Sequence, residues 1–150
     1  MGVWLDQQEI ADFLTNGHTL IVSTIDKDGY PHSTPVWYVY DGGHVYFRVR
    51  SATIKAKGLL RNPKVAVLVE SGERWRDLKA VLIRGRAEPV TDTAFQVRFD
   101  ALLDAKYANF REAREAMPTR TQQHYATGKT YFKVVPEKRI ASWDNRKIRM

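Results

Sequence analysis

The amino-acid sequence predicts a mainly β, α+β fold: an antiparallel barrel of six or seven strands with peripheral helices. Three observations carry this expectation. Short runs rich in β-branched and aromatic residues recur along the chain, Asp-Gly and Gly-Gly steps punctuate the first of them, and helical apolar spacing is confined to a few short stretches. Strands in this number, with helices inserted between them, favour a barrel over a two-sheet sandwich. At 150 residues, with no linker, repeat or low-complexity tract, residues 1–150 are expected to form one domain.

The elements follow in order. Asp6 stands three positions before Glu9 in a capping-box arrangement, and Ile10, Phe13 and Leu14 continue it at helical spacing, so a short helix is expected over Leu5–Thr15. His18–Ile25 reads as a strand. The turn Asp26-Lys27-Asp28-Gly29 joins it to Tyr30–Tyr40, and Asp41-Gly42-Gly43 leads into His44–Val49, where Val45, Phe47 and Val49 alternate with His44, Tyr46, Arg48 and Arg50. These three strands are expected to form an antiparallel meander.

Ser51 or Thr53 can cap a helix that runs to about Asn62, where Pro63 stops it. Lys64–Glu70 is the next strand. After the turn around Ser71-Gly72-Glu73 comes a long strand, Leu78–Val90, with Gly85 marking a bend or bulge. Thr91 can cap a helix with Phe95, Phe99, Leu102 and Leu103 on its apolar face, continuing brokenly to Met117 before Pro118. Tyr131–Val135 and Arg139–Trp143 close the chain as two short strands.

Composition removes several classes of chemistry. The absence of cysteine excludes disulfides, thiolate catalysis and Cys-based metal sites. His18, His32, His44 and His124 lack metal-ligand spacing, and no glycine-rich nucleotide loop occurs. The longest apolar runs, Thr19–Ile25 and Val65–Val69, fall far short of the roughly 20 residues of a bilayer span, and no signal-peptide pattern opens the chain. A cytoplasmic protein without membrane association is expected. A net charge of +7 attracts polyanions, and the stretch from Arg48 to Val69 holds no acid at all.

Arg48 and Arg50 lie two apart on one strand and share a face. The helix after them offers free backbone N–H groups and the positive end of its dipole, with Lys55 and Lys57 adding charge. Guanidinium groups meeting a helix N-terminus make a phosphate clamp. On the residues alone, the alternative is a solvated basic face.

The order Ser33-Thr34-Pro35-Val36-Trp37, Phe47-Arg48-Val49-Arg50, Lys55, and Leu59-Leu60-Arg61-Asn62-Pro63-Lys64-Val65-Ala66-Val67 resembles the pyridoxamine 5′-phosphate oxidase-like split-barrel family. Within that family it is similar to the small oxidoreductases that use FMN or the deazaflavin coenzyme F-420. The resemblance extends through Arg84-Gly85-Arg86-Ala87-Glu88 to Ser142-Trp143-Asp144. It implies a homodimer with a flavin-type cofactor in a pocket at the subunit interface. Ser33, Pro35, Val36 and Trp37 would run beneath the cofactor ring, Arg48 would face its ribityl chain, and Arg50, Ser51, Thr53 and Lys55 would hold its phosphate. Trp143 would cover a ring, its alternative role being core packing. Ile54-Lys55 stands where the oxidase proper has an Arg-Lys pair, and a recognisable C-terminal segment for the vitamin site is lacking. The reaction of the family title is therefore not expected.

The function implied is hydride transfer between FMN or coenzyme F-420 and an unsaturated small molecule, with the hard chemistry supplied by the cofactor. The catalytic residues stay unassigned; Tyr30, Tyr38, Tyr46 and Tyr125 are possible proton donors. The alternative is a non-catalytic barrel that binds flavin or haem. A nucleic-acid-binding barrel, suggested by Trp37, Tyr38, Tyr46 and Phe47 near arginines, fits less well than a phosphate clamp. Nucleic acid is not an expected partner.

Overall fold

The computed structural model describes residues 2–125 and 127–150, the side chains of His124 and Tyr125 excepted. Helix α1 (Gln7–Asn16) starts with the expected capping box: the Asp6 carboxylate accepts from the Glu9 N–H at 2.8 Å, and that of Glu9 accepts from the Asp6 N–H at 3.0 Å. The Asp6 N–H, and then Lys147, hold the Glu9 carboxyl down at about 2. Lys147 reaches it from the C-terminal segment at 2.7 Å, so the two ends of the chain meet.

Eight strands follow: β1 (Leu20–Ile25), β2 (Pro31–Val36), β3 (Tyr38–Asp41), β4 (His44–Arg50), β5 (Lys64–Ser71), β6 (Lys79–Pro89), β7 (Lys129–Pro136) and β8 (Ala141–Asp144). They pair in the order β2-β1-β5-β6-β7-β4-β3, with β8 beside the first half of β6. Every pairing is antiparallel, as a split barrel requires. Helices α2 (Ile54–Arg61), α3 (Thr93–Lys106) and α4 (Thr119–Tyr125) lie between strands in the chain.

The strand path has seven strands, as expected, with β8 off it, and Tyr30–Tyr40 supplies two of them, broken at Trp37. The expected meander is not formed for the same reason. β2 stays with β1, β3 turns away to pair with β4, and the two halves lie at opposite ends of the strand path. Helix α3 is capped by Asp92, whose carboxylate accepts from the Ala94 N–H at 3.1 Å, rather than by Thr91. The later start still turns Phe99 and Leu103 inward. α4, after Pro118, was not foreseen: its polar sequence Thr119–Tyr125 carries no apolar period.

The main core fills the barrel. On β4 Val45, Phe47 and Val49 are buried while the alternate residues are half-buried, and Phe47 stacks on Phe132, its register partner on β7, at 5.4 Å. A second cluster, Val39, Phe99, Leu103 and Tyr107, forms between α3 and the sheet. Lys106 closes it. Its ammonium lies 3.7 Å from the centre of the Tyr38 ring and donates to the Tyr38 carbonyl at 3.2 Å. Burial lowers its pKa to about 8 from 10.5.

That depression fixes a pH dependence. Between pH 8 and 10.5 the folded chain has released a proton that the unfolded chain still holds, so this group adds stability as pH rises and withdraws it as pH falls through 8. Urea unfolding of the wild type and Lys106→Met at pH 7 and pH 10 is expected to show the wild type gaining on the variant at the higher pH.

Gly85 lets the sheet close. A Cβ there would meet the Val135 carbonyl oxygen at 1.9 Å and the Glu137 nitrogen at 2.9 Å. Beside it the Glu137 and Lys138 N–H groups both donate to the Arg84 carbonyl, turning the chain from β7 toward β8.

Candidate functional site

The basic stretch singled out in the sequence folds into one wall of a cleft of about 1060 Å³. Strand alternation puts Arg48 and Arg50 on the same face of β4, opposite Tyr131 and Lys129 of β7. Directly after β4, Thr53 caps α2: its hydroxyl accepts from the Ala56 N–H at 3.2 Å. Lys55, in the first turn of α2, crosses to β2 and donates to Thr34 Oγ1 at 3.0 Å. Arg48, Arg50, Thr53, Lys55 and Lys129 therefore line one region of the cleft.

Burial lowers the Lys55 pKa, with a further contribution from the nearby Arg50 charge. Burial likewise lowers that of Lys129, aided by Arg48. Cations crowded and partly stripped of water in this way are stabilised by an incoming anion. The donor set, together with the N-terminus of the eight-residue α2, fits a phosphate group.

Seven of the sequence-selected residues, Pro35, Val36, Trp37, Arg48, Arg50, Thr53 and Lys55, line this cleft. Three lie elsewhere. Ser33 shares a hydrogen bond of 2.7 Å with Ser23, Ser51 shares one of 2.8 Å with Thr130, and Trp143 sits half-buried on β8 opposite Ala80. Lys57 is exposed and outside the lining. Of the tyrosines considered as proton donors, Tyr30 is 70% exposed in a loop, Tyr46 packs on Phe95, and Tyr38 is buried with its hydroxyl on the Leu14 carbonyl. None of these three lines the cleft; Tyr125 lies outside the residues whose side chains are described, as does His124.

Sequence reasoning missed the second lining segment. Phe110, Arg111, Glu112, Arg114 and Met117, from the short turns after α3, line the cleft as well, with Arg111 over the Trp37 ring. No periodicity marks such turns. Lys129 was legible in principle, because extending the alternation of Tyr131 and Lys133 two residues upstream places it on the same face, beside Arg50.

Asp100 of α3 was also missed. Its carboxylate pairs with Arg48 Nη1 and accepts from the Tyr131 hydroxyl at 2.9 and 3.0 Å. Burial first, and then Asp100, raise the Tyr131 pKa. Asp100→Asn leaves the largely buried Arg48 without its counter-charge. A loss of about 1–3 kcal/mol in urea unfolding is expected, together with a lower Tyr131 pKa in an ultraviolet phenolate titration.

The aromatic end of the cleft is held by ring stacking and hydrogen bonds. The Trp37 indole lies parallel to the buried Tyr107 ring, with centroids 4.3 Å apart and planes 6° apart. The Tyr107 hydroxyl is tied to the His18 carbonyl at 2.7 Å and accepts from the Tyr38 N–H at 3.1 Å.

This architecture is shared with known structures. A conserved hypothetical protein of Mycobacterium tuberculosis is 28% identical with a TM-score of 0.81, over 97% of this chain and 88% of its own. A FAD-binding protein from Mesorhizobium loti is 22% identical, with a TM-score of 0.67 over 92% of this chain and 94% of its own. The haem storage protein of Vibrio cholerae is 17% identical, with a TM-score of 0.70 over 95% of this chain and 96% of its own. None of the curated proteins matches this sequence. The pyridoxamine 5′-phosphate oxidase family model matches residues 6–141, a span that takes in all of the barrel up to the start of β8 and the residues that line the cleft, and the chain belongs to that family.

Proposed function

We propose that the cleft binds a flavin-type cofactor, FMN or the deazaflavin coenzyme F-420, and that the protein moves a hydride between it and an unsaturated small molecule. The observation that carries this reading is the convergence of Arg48, Arg50, Lys55 and Lys129 on one region of a cleft whose remaining floor includes the apolar Pro35, Val36 and Leu103. The cations and the α2 N-terminus would hold the phosphate. Among the described residues β2 ends the strand path with no strand on its outer side, so the outer backbone edge of Pro31–Val36 is available to the polar edge of a ring.

Such a cofactor, once bound, supplies the hydride chemistry itself, which leaves the protein to orient the reactants and exclude water. The crowding of cations favours coenzyme F-420, whose phosphodiester and oligoglutamate tail carry more negative charge than FMN. A two-fold homodimer is part of the proposal; sedimentation equilibrium checks it.

Titrating the purified protein with FMN and with coenzyme F-420, following ring fluorescence, tests the reading. Saturable binding at micromolar concentration or below, tighter for the deazaflavin, is expected. Tighter FMN binding overturns the cofactor preference, and no binding of either overturns the reading. Turnover of the loaded protein with electron-poor alkenes or quinones separates an oxidoreductase from a barrel that only binds its ligand.

A further inference from the structure

The geometry points to Arg111 as the residue that selects the second ligand of this cleft: a planar conjugated ring bearing an anionic group, its ring laid along Trp37 and its anion held by Arg111. The inference rests on the cofactor reading above, which already uses the cations of β4, α2 and β7, and it gives Trp37, expected from the sequence beneath the cofactor ring, to the second ligand instead. Arg111 and Arg114 come from a separate segment, the turns between α3 and α4, and with Glu112 between them bring one net positive charge to the cleft beyond the cations assigned to the cofactor phosphate.

Trp37 has the properties of a stacking platform. Tyr107 fills one side of its ring at 4.3 Å and is itself held by hydrogen bonds, so the indole is backed on the side away from a ligand. His18 meets the Trp37, Tyr107 and Phe110 rings edge-on at 6.4, 5.3 and 4.6 Å, which braces the wall further. An aromatic cluster that served packing alone would be covered, yet Phe110 is 59% exposed and Trp37 faces the cleft.

Arg111 lies over the Trp37 ring, 5.2 Å from its centroid, as a planar cation does on an indole. Its ion pair with Asp104, at 2.8 Å, is solvent-exposed on both sides and therefore weak. A ligand carboxylate or sulfonate can replace Asp104 at little cost, while the ligand ring takes the guanidinium's place on Trp37. Stacking supplies affinity for any flat ring, and Arg111 supplies the preference for an anionic one.

Calorimetric titration of the protein, with and without saturating cofactor, using naphthalene-2-sulfonate and neutral 2-naphthol, tests this. In the wild type the sulfonate is expected to bind more tightly than the naphthol, with the cofactor present. Arg111→Ala should weaken the sulfonate about tenfold and leave the cofactor unchanged, with the naphthol, freed from displacing the guanidinium, bound no less tightly. Trp37→Leu should weaken both probes.

An Arg111→Ala variant that binds the sulfonate as the wild type does, or that loses both probes equally, overturns the inference. So does sulfonate binding that disappears when cofactor is added, since the probe would then be occupying the cofactor's anion site. Failure of the cofactor to bind is read in its own titration, and the probe affinities of the chain alone are measured independently of it.

Discussion

Truncating Lys55 to alanine is expected to weaken cofactor binding by roughly 1.5–3 kcal/mol, about ten- to a hundredfold in Kd, while the fold survives. Lys55 is half-buried at the first turn of α2, beside Arg50, and its hydroxyl partner Thr34 sits on the strand proposed to run beneath the ring. Burial and the Arg50 charge already disfavour its protonated form. A phosphate would restore the missing counter-charge, and an ammonium held ready in this way contributes more than a solvated one. Lys57→Ala is the internal control, because Lys57 is exposed and does not line the cleft. Fluorescence titration of both variants measures the difference. Equal affinities for Lys55→Ala and wild type would remove Lys55 from the site.

Gly85→Ala is expected to cost on the order of 3 kcal/mol of stability. The new carbon would meet three backbone atoms of β7 and its turn, the nearest at 1.9 Å, and backbone held in a ladder on both sides of β6 cannot swing aside as a side chain does. Gly42→Ala provides the contrast. Gly42 has φ of 58° and open space around it, so its substitution meets only the left-handed backbone penalty of about 1 kcal/mol. Urea unfolding of the two variants separates a steric cost from a conformational one. Comparable losses would mean that β6 and β7 part readily at Gly85.

What was legible in the sequence is local. The Asp6 and Glu9 capping box, the Thr53 cap, the glycines of the first two turns and the alternation on β4 each depend on residues within a few positions of one another. The same locality placed Arg48, Arg50, Thr53 and Lys55 together, since they occupy a strand end and the helix start directly after it. Thr91 and Asp92 show where locality stops sufficing. Both can cap a helix, and the choice between them is bound up with the turning of Phe99 and Leu103 into a core that the local sequence does not contain.

The sequence by itself determined an antiparallel barrel, its membership in a family, and a basic strand-to-helix corner suited to an anion. Only the tertiary structure decided that Trp37 splits one apparent strand into two, that β2 and β3 end up at opposite ends of the sheet path, and that Asp100 pairs with Arg48. It also decided that Lys129 and the turns around Arg111 complete the cleft. The physical reason is range. Caps, turns and alternation are set by hydrogen bonds and sterics between near neighbours, whereas pairing order and the second lining segment are set by which apolar faces bury each other across long stretches of chain.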